Sequence, residues 1–233
     1  MRLDKYLTSC FIGTRSEVKK IIKSKKITVN NKIILQEGFN VDELNDIVKY
    51  DNKVLIYQKY YYYVLNKPSN YVTSTDDPLN KTIMELFNDL PTLLIKELFP
   101  VGRLDKDTEG MIIVTNDGSL SHYLTSPNQK IEKTYYVEYD GILVSNAIEL
   151  ASNGIKTQNE SFLPATLSII NEHSCYLTIK EGKYHQVKKM IHEMGGILTY
   201  LKRIKINNLE LPLDLEIGKY RHLTNEEIEI LKK

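Results

Sequence analysis

Residues 102–118 read GRLDKDTEGMIIVTNDG: a charged turn, a short apolar run and a second turn. The run MIIVT predicts a buried strand, because apolar and β-branched residues dominate it and glycine-containing turns bound it at both ends. On this prediction Asp105 lies at the rim of a sheet, where a cleft can half bury its carboxylate. The stretch therefore predicts both a strand of the core and a candidate reactive group.

The carboxylates of Asp105 and Asp107 allow two interpretations. In the first, they cap backbone N–H groups of an Asp-rich turn and have no further role. In the second, a nearby cation holds Asp105 ionised in a poorly hydrated cleft, where a carboxylate acts as a nucleophile or a base. Arg103 is close in sequence, and Lys188 and Lys189 are candidates through space. Spacing alone leaves both interpretations open.

Other chemistries have little support in the sequence. A retaining glycosidase would hold two carboxylates about 5 to 5.5 Å apart, which Asp105 and Asp107 could satisfy, but nothing else indicates a sugar site and tryptophan is absent. The chain contains no GxGxxG, no P-loop and no HExxH, and its five histidines are scattered. We therefore expect neither a cofactor nor a metal ion.

Length and composition indicate two domains and a reducing compartment. A chain of 233 residues with 42% hydrophobic residues suits one small and one larger domain. Cys10 and Cys175 form neither a disulfide framework nor a metal-site pattern, which fits the cytoplasm. No apolar stretch reaches the roughly 18 residues of a membrane span, so we expect no membrane partner. The composition changes near residue 59, which predicts domains at 1–58 and 60–233.

The first domain is basic. Residues 1–59 hold 12 Lys and Arg against 7 Asp and Glu, whereas residues 60–233 hold 19 against 23. Leu3, Leu7 and Phe11 share one face of a predicted helix, and Thr14 with Glu17 forms a capping box that begins a second helix. Short strands with Asn-containing turns follow. The cations on the second helix suit either a solvated face or a polyanion.

Three motifs in this domain resemble a known RNA-binding module. RLDKYL at 2–7, GTRSEVKKII at 13–22 and ITVNNK at 27–32 are similar to the alpha-L motif, the domain found in a small-subunit ribosomal protein, S four, and in bacterial tyrosyl-tRNA synthetases. Two glycines usual in the hairpin of that family are Lys25 and Asn31 here. The resemblance implies RNA contact by five cations, Arg2, Lys5, Arg15, Lys19 and Lys20.

The second domain reads as α+β, with a mixed, mainly antiparallel sheet and flanking helices, because strands outnumber helices and several are joined by short turns. The tyrosine run at 60–63 favours ordinary sheet packing over base stacking. LKRIKI at 201–206 reads as a strand on which Arg203 points away from Lys202 and Lys205. Its charges suit either a solvated edge strand or phosphate contact.

Three further motifs, in this order, resemble the bacterial RsuA-type rRNA pseudouridine synthases over nearly the whole chain: GRLDKDTEGMIIVTNDG, KTYYVEYDG and EGKYHQVKKM. By this resemblance Asp105 is the catalytic aspartate and Lys188 its basic partner. Tyr135 is the aromatic ring against the target base, and Val187 lines the base pocket. Arg103 helps to hold the flipped nucleotide or fills its vacated place.

The resemblance also implies a reaction and a target. The enzyme would isomerise a uridine without a cofactor. GKYHQVKKM and YVTSTDD look more like the small-subunit rRNA enzyme than its large-subunit relatives, which implies uridine 516 of 16S rRNA. The substrate would be 16S rRNA or an assembling small subunit, and the enzyme a monomer that needs no protein partner. A large-subunit (23S) rRNA enzyme of the same family, and a non-catalytic RNA-binding assembly factor, are the alternatives.

Overall fold

The computed structural model of the protein describes all 233 residues, which form two compact units. The first unit comprises Met1–Tyr61 and Asn88–Glu97, and the second comprises Tyr62–Phe87 and Leu98–Lys233. None of the helices combines the length and the apolar character needed to cross a membrane.

The first unit is built from three helices and a small antiparallel sheet. The helices are α1 (Leu3–Ser9), α2 (Arg15–Lys23) and α3 (Thr92–Ile95), and the strands are β1 (Ile27–Val29), β2 (Lys32–Ile33), β3 (Val48–Tyr50) and β4 (Lys53–Val54). The strand order is β2-β1-β3-β4. Both predicted helices are present, although α1 ends before Phe11.

The start of α2 follows directly from its sequence. The Thr14 hydroxyl accepts the backbone N–H of Glu17, and the Glu17 carboxylate accepts that of Thr14, so two otherwise unpaired donors are satisfied. Val18 and Ile22 then face the core of the unit. Lys25 adopts the left-handed conformation, with φ of 63°, at a position where the family of this motif usually has glycine.

The second unit contains a nine-stranded sheet and four α-helices. The strands are β5 (Tyr62–Lys67), β6 (Phe99–Pro100), β7 (Glu109–Thr115), β8 (Lys133–Gly141), β9 (Thr166–Asn171), β10 (Ser174–Ile179), β11 (Gly196–Ile206), β12 (Leu209–Glu210) and β13 (Tyr220–His222). The helices are α4 (Gly118–Thr125), α5 (Ala147–Asn153), α6 (Gln186–Glu193) and α7 (Asn225–Lys232). Two 3-10 helices complete it, Ile83–Phe87 and Pro127–Gln129.

The sheet has the predicted mixed, mainly antiparallel character. Its order is β13-β5-β7-β11-β8-β10-β9, with β12 beside β11 and β6 beside β7, and the pairing of β7 with β11 is the one parallel pairing. Alternation along β8 buries Tyr135 and Val137 and leaves Tyr136 and Glu138 on the opposite face. Helix α6 packs on β11, and α5 packs on β9.

The structure corrects one interpretation of LKRIKI. β11 lies between β7 and β8, so it is not a solvated edge strand. Arg203 is buried, and its Nε donates a hydrogen bond to the carbonyl of Met111 at 2.7 Å. Lys202 and Lys205 are partly exposed on this interior strand.

The parallel pairing of β7 with β11 depends on glycine at position 110. Gly110 pairs with Arg203 and has φ of 97°. A Cβ atom built on Gly110 would lie 2.2 Å from the backbone carbonyl oxygen of Arg203, a distance that no real side chain tolerates. Gly110 therefore lets the strand that follows the Asp105 turn approach the centre of the sheet.

We expect Gly110→Ala to lower the free energy of unfolding by more than about 2 kcal/mol, because alanine combines a backbone clash with a positive φ. Gly118→Ala is the matched control, since Gly118 begins α4 and a Cβ atom added there would have nothing within 4 Å. That variant should change stability by less than about 0.5 kcal/mol. Equal denaturation midpoints in urea for the two variants would contradict the role given to Gly110.

Candidate active site

The turn that carries Asp105 is held by hydrogen bonds from a segment that precedes it. The Thr73 hydroxyl accepts the backbone N–H of Leu104 at 3.1 Å and donates to the Leu104 carbonyl at 2.9 Å. The N–H of Asn70 donates to the Lys106 carbonyl at 2.8 Å. The N–H of Thr108 donates to the Asp105 carbonyl at 3.1 Å, which closes the turn. The turn is therefore fixed at the residues on both sides of Asp105.

A buried lysine supports the same turn from beneath. Lys67, at the end of β5, is fully buried, and its Nζ donates to the carbonyls of Thr108 (2.8 Å), Pro68 (3.0 Å) and Lys106 (3.2 Å). Burial lowers the pKa of Lys67 to about 8, against the opposing effect of the nearby carboxylates, Asp107 above all. Sequence reasoning missed Lys67. Its one signal was a lysine that ends an apolar strand directly before a proline.

The ammonium of Lys188, in the first turn of α6, connects two carboxylates. Its Nζ donates to both carboxylate oxygens of Asp107 at 2.8 Å and lies 3.3 Å from Oδ2 of Asp105. Partial burial disfavours the charge of Lys188, but the bond to Asp107 and the charges of both aspartates raise its pKa. Partial burial also opposes ionisation of Asp107, yet Lys188 lowers the pKa of that carboxyl group. Lys188 and Asp107 are therefore both charged at neutral pH, and Asp105 lies against the same cation.

Asp105 itself is less tightly held than Asp107. Its side chain is 30% exposed and accepts no hydrogen bond from the backbone of the turn. Its second neighbour is His185, whose Nε2 lies 3.6 Å from the same Oδ2 atom. His185 has φ of 53°, a left-handed conformation that is uncommon outside glycine and that recurs at functional sites. Neither His185 nor Asp107 was among the predicted site residues.

Two adjoining cavities meet at Asp105. The narrow one, about 70 Å³, is lined by Asp105, Thr108, Tyr135, Val187, Lys188 and Leu201 among others. The wide one, about 710 Å³, is lined by Thr73, Ser74, Asp77, Lys106 and Tyr184 among others. Arg103, Asp105, Lys183 and His185 border both.

All five residues that the sequence assigned to this site line the narrow cavity: Arg103, Asp105, Tyr135, Val187 and Lys188. Tyr135 and Val187 are buried, at 7% and 5% exposure, and Arg103 is exposed without a hydrogen bond or an ion pair from its guanidinium. Lys189, the other candidate partner of Asp105, instead pairs with Glu160. The structure contains no cluster of three or more His, Cys, Asp or Glu that could hold a metal ion.

Family models match both units of the chain. The model described as RNA pseudouridylate synthase matches residues 61–193, and the model described as S4 domain matches residues 1–48. The first match covers more than half of the chain and includes every residue of the narrow cavity except Leu201. This chain belongs to the RNA pseudouridylate synthase family. The predicted family and the predicted N-terminal RNA-binding domain are both confirmed, and the chain is an RNA pseudouridine synthase.

Several relatives match this pseudouridine synthase over its full length. It is 39% identical to ribosomal small subunit pseudouridine synthase A of Vibrio vulnificus, with 100% of each chain covered, and 38% identical to the protein of the same name of Escherichia coli strain K12, with 98% of each covered. A crystal structure described as that of a pseudouridylate synthase superposes with a TM-score of 0.69 at 35% identity and 99% coverage of both chains.

The S4 domain of this pseudouridine synthase presents three of the five predicted RNA-binding cations without an ion-pair partner. Lys5, Arg15 and Lys20 are exposed and make no salt bridge. Arg2 instead binds the Asp4 carboxylate with two nitrogens, at 2.8 and 3.1 Å, and Lys19 lies 3.1 Å from Glu37. A groove of about 620 Å³ is bordered by four of the five, Arg2, Lys5, Arg15 and Lys19.

We expect Lys67→Met to lower the free energy of unfolding at pH 7 by about 1 to 3 kcal/mol, because it leaves buried carbonyls unpaired. The difference in unfolding free energy between the wild type and Lys67→Met should widen above pH 8. Folded Lys67 loses its proton near pH 8 and the unfolded lysine near pH 10.5, so the unfolded wild type holds more protons between those values. Its stability then gains at most about 1.4 kcal/mol per pH unit from this group.

Urea denaturation of the wild type and of Lys67→Met at several pH values between 6 and 10 measures this difference. Lys202→Met, on the partly exposed face of β11, shows how much of the effect follows from the loss of any lysine. A difference between wild type and Lys67→Met that is constant with pH would exclude the depressed pKa.

Proposed function

We propose that this pseudouridine synthase modifies small-subunit rRNA in the cytoplasm and that its target is uridine 516 of 16S rRNA, either free or in an assembling subunit. The observation that carries the proposal is Asp105 beside the Lys188 ammonium in a cavity walled by Tyr135 and Val187. The choice of the small subunit is supported by two relatives that match over essentially their whole length and whose names specify the small ribosomal subunit.

Asp105 is the catalytic group of this proposal. Two carboxylates and one ammonium leave the group of Asp105, Asp107 and Lys188 with a net negative charge. The short hydrogen bonds of Lys188 go to Asp107, so the Lys188 ammonium lies against Asp105 while the oxygens of Asp105 remain available. A poorly hydrated carboxylate in this state is suited to attack carbon or to take up a proton.

The reaction needs no more than the uridine itself. The bond between ribose C1′ and uracil N1 breaks, the uracil turns within the cavity, and a bond forms between C1′ and C5. The proton on C5 is lost and N1 gains one, so that the product is an isomer of the substrate. Asp105 attacks C1′ or C6, or first acts as a base, and no cofactor takes part.

Tyr135 and Val187 hold the base during this rotation. A target uridine must leave its stack at a cost of a few kcal/mol, and stacking on an aromatic ring offsets part of that cost. The Tyr135 ring and the Val187 side chain, with Leu201 beside them, form the apolar wall of the narrow cavity. Such a wall also excludes water from the cavity. The cleaved uracil is therefore retained until it is rejoined to the ribose.

In this proposal Arg103 contacts the RNA backbone or the vacated position in the strand, not the target base. Its guanidinium is exposed, has no partner and borders both cavities, so it can bind a phosphate of the flipped nucleotide or occupy the space that the nucleotide leaves. The S4 domain adds affinity for the rRNA through Arg2, Lys5, Arg15, Lys19 and Lys20. No step of the reaction requires a second subunit, and we infer that the enzyme acts as a monomer without a protein partner.

Complementation of a strain that lacks this protein tests the target and the nucleophile together. Primer extension on carbodiimide-treated rRNA should show a stop at position 516 of 16S rRNA with the wild type and with Asp140→Asn, an exposed control aspartate on β8. Asp105→Asn should show none, while the purified variant binds the rRNA within a few fold of the wild type.

Two other results of this experiment would contradict the proposal. A stop that depends on the protein in 23S rRNA would replace the proposed target with a large-subunit one. A primer-extension stop of wild-type intensity with Asp105→Asn would show that Asp105 is not the catalytic group.

The salt dependence of rRNA binding tests the S4 surface. Replacement of Lys5, Arg15 and Lys20 by alanine removes three unpaired cations, and each single-strand phosphate contact contributes about 0.7 to the slope of log affinity against log salt. The slope should therefore become shallower by about 2. The same loss of charge at Lys32, Lys49 and Lys53, on the hairpins of the sheet, should change the slope less. Equal changes in both triple variants would show that only net charge matters.

A further inference from the structure

The narrow cavity is too small for a whole nucleotide. Ligand pockets usually enclose about 300 to 1,000 Å³, whereas the cavity between Asp105, Tyr135 and Val187 has about 70 Å³. The adjoining cavity, with about 710 Å³, falls within the usual range and shares Arg103, Asp105 and His185 with it. A strand that delivers one base to Asp105 must therefore place neighbouring atoms in the wide cavity.

An aromatic pair stands on the wall of the wide cavity. The rings of Tyr184 and His185 are stacked, with centroids 3.8 Å apart and planes inclined by 20°. Tyr184 is 73% exposed, more than any other tyrosine or phenylalanine in the chain. Sheet packing and core formation do not account for a large ring in this position.

The loop that presents the pair is rigidly held. Gln186 is buried, and its side-chain oxygen accepts the N–H of Lys183 at 3.1 Å while its amide nitrogen donates to Glu181 at 3.0 Å. The N–H of Gln186 donates to the Lys183 carbonyl at 3.1 Å. The left-handed backbone of His185 then turns both rings towards each other. The exposed ring is thus ordered before any ligand arrives, which lowers the entropic cost of binding.

The charges around the pair favour a polyanion. Arg103, Lys106 and Lys183 border the wide cavity, and Nζ of Lys189 lies 5.6 Å from the centroid of the Tyr184 ring. Of the two acidic residues that border the same cavity, Asp105 lies against Lys188, and Asp77 has one oxygen, Oδ1, that accepts the N–H groups of Leu79 and Asn80 and the Asn80 side chain. Flat apolar rings beside cations are the combination that binds single-stranded RNA.

We propose that the wide cavity is a second nucleotide subsite, in which the Tyr184–His185 pair stacks on the base adjacent to the target uridine. The inference rests on the proposed function, because the substrate must be an RNA strand that enters at Asp105. The two aliphatic hydroxyl groups of the wall are already used, Thr73 by Leu104 and Ser74 by the Asp76 carbonyl. The subsite therefore binds any of the four bases by stacking, with little difference in affinity among them.

The test combines enzyme variants with abasic substrates. The substrate is a fragment of the rRNA that the wild-type enzyme converts, made intact or with the base removed at the position 5′ or 3′ of the target. For the wild type, one of the two abasic fragments should lower kcat/KM roughly tenfold, since stacking of one base contributes about 5- to 150-fold to binding. For Tyr184→Ala, the intact fragment should already show that loss, and removal of the same base should cost less than about twofold more.

Two controls accompany the measurement. Tyr184→Phe keeps the ring and should keep the full sensitivity to the missing base. Tyr176→Ala removes a partly exposed tyrosine that lines neither cavity. This variant should also keep the full sensitivity to the missing base. Replacement of the neighbouring base by any of the other three should change kcat/KM less than about threefold.

The proposal is overturned if neither abasic site affects the wild type, or if Tyr184→Ala loses as much from the abasic site as the wild type does. Failure of the wild type to form pseudouridine in any rRNA would instead refute the proposed function. Conversion of a 23S fragment would change the target and leave the subsite to be judged by the same comparison.

Discussion

One ammonium group, that of Lys188, joins the turn before β7 to the first turn of α6 and sets the charge of the site. Two carboxylates at positions 105 and 107 would otherwise repel each other. Lys188 lies against both carboxylates, and because it binds Asp107 at shorter distance than Asp105, it leaves the Asp105 carboxylate less constrained.

The turn also depends on a lysine in the opposite electrostatic situation. Lys67 is surrounded by backbone carbonyls in the interior, where its charge is disfavoured, whereas Lys188 lies between two carboxylates, where its charge is favoured. One lysine serves as a hydrogen-bond donor that shapes the backbone, and the other as a charge that controls a side chain.

The fold class was predicted from local periodicity, and the family and five residues of the narrow cavity were predicted from the resemblance of three motifs to a known family. The sequence did not predict Lys67, which reaches Thr108 across 41 residues. Asp107 was considered as a turn residue or as one of two glycosidase carboxylates, and its bond to Lys188 was not predicted because the packing of α6 decides it. The placement of β11 was also beyond local patterns, because strand order is a property of the whole sheet.

The parallel pairing of β7 with β11 has a consequence for the synthesis of the enzyme. The turn of Asp105 and strand β7 leave the ribosome early, but β11 spans Gly196–Ile206 and must insert between β7 and β8 before the sheet is complete. Contacts so distant in the chain form late in folding, because a long loop must close first. A nascent chain that has displayed GRLD therefore still lacks the complete sheet and the α6 residues beside Asp105, and the narrow cavity is assembled only near the completion of translation.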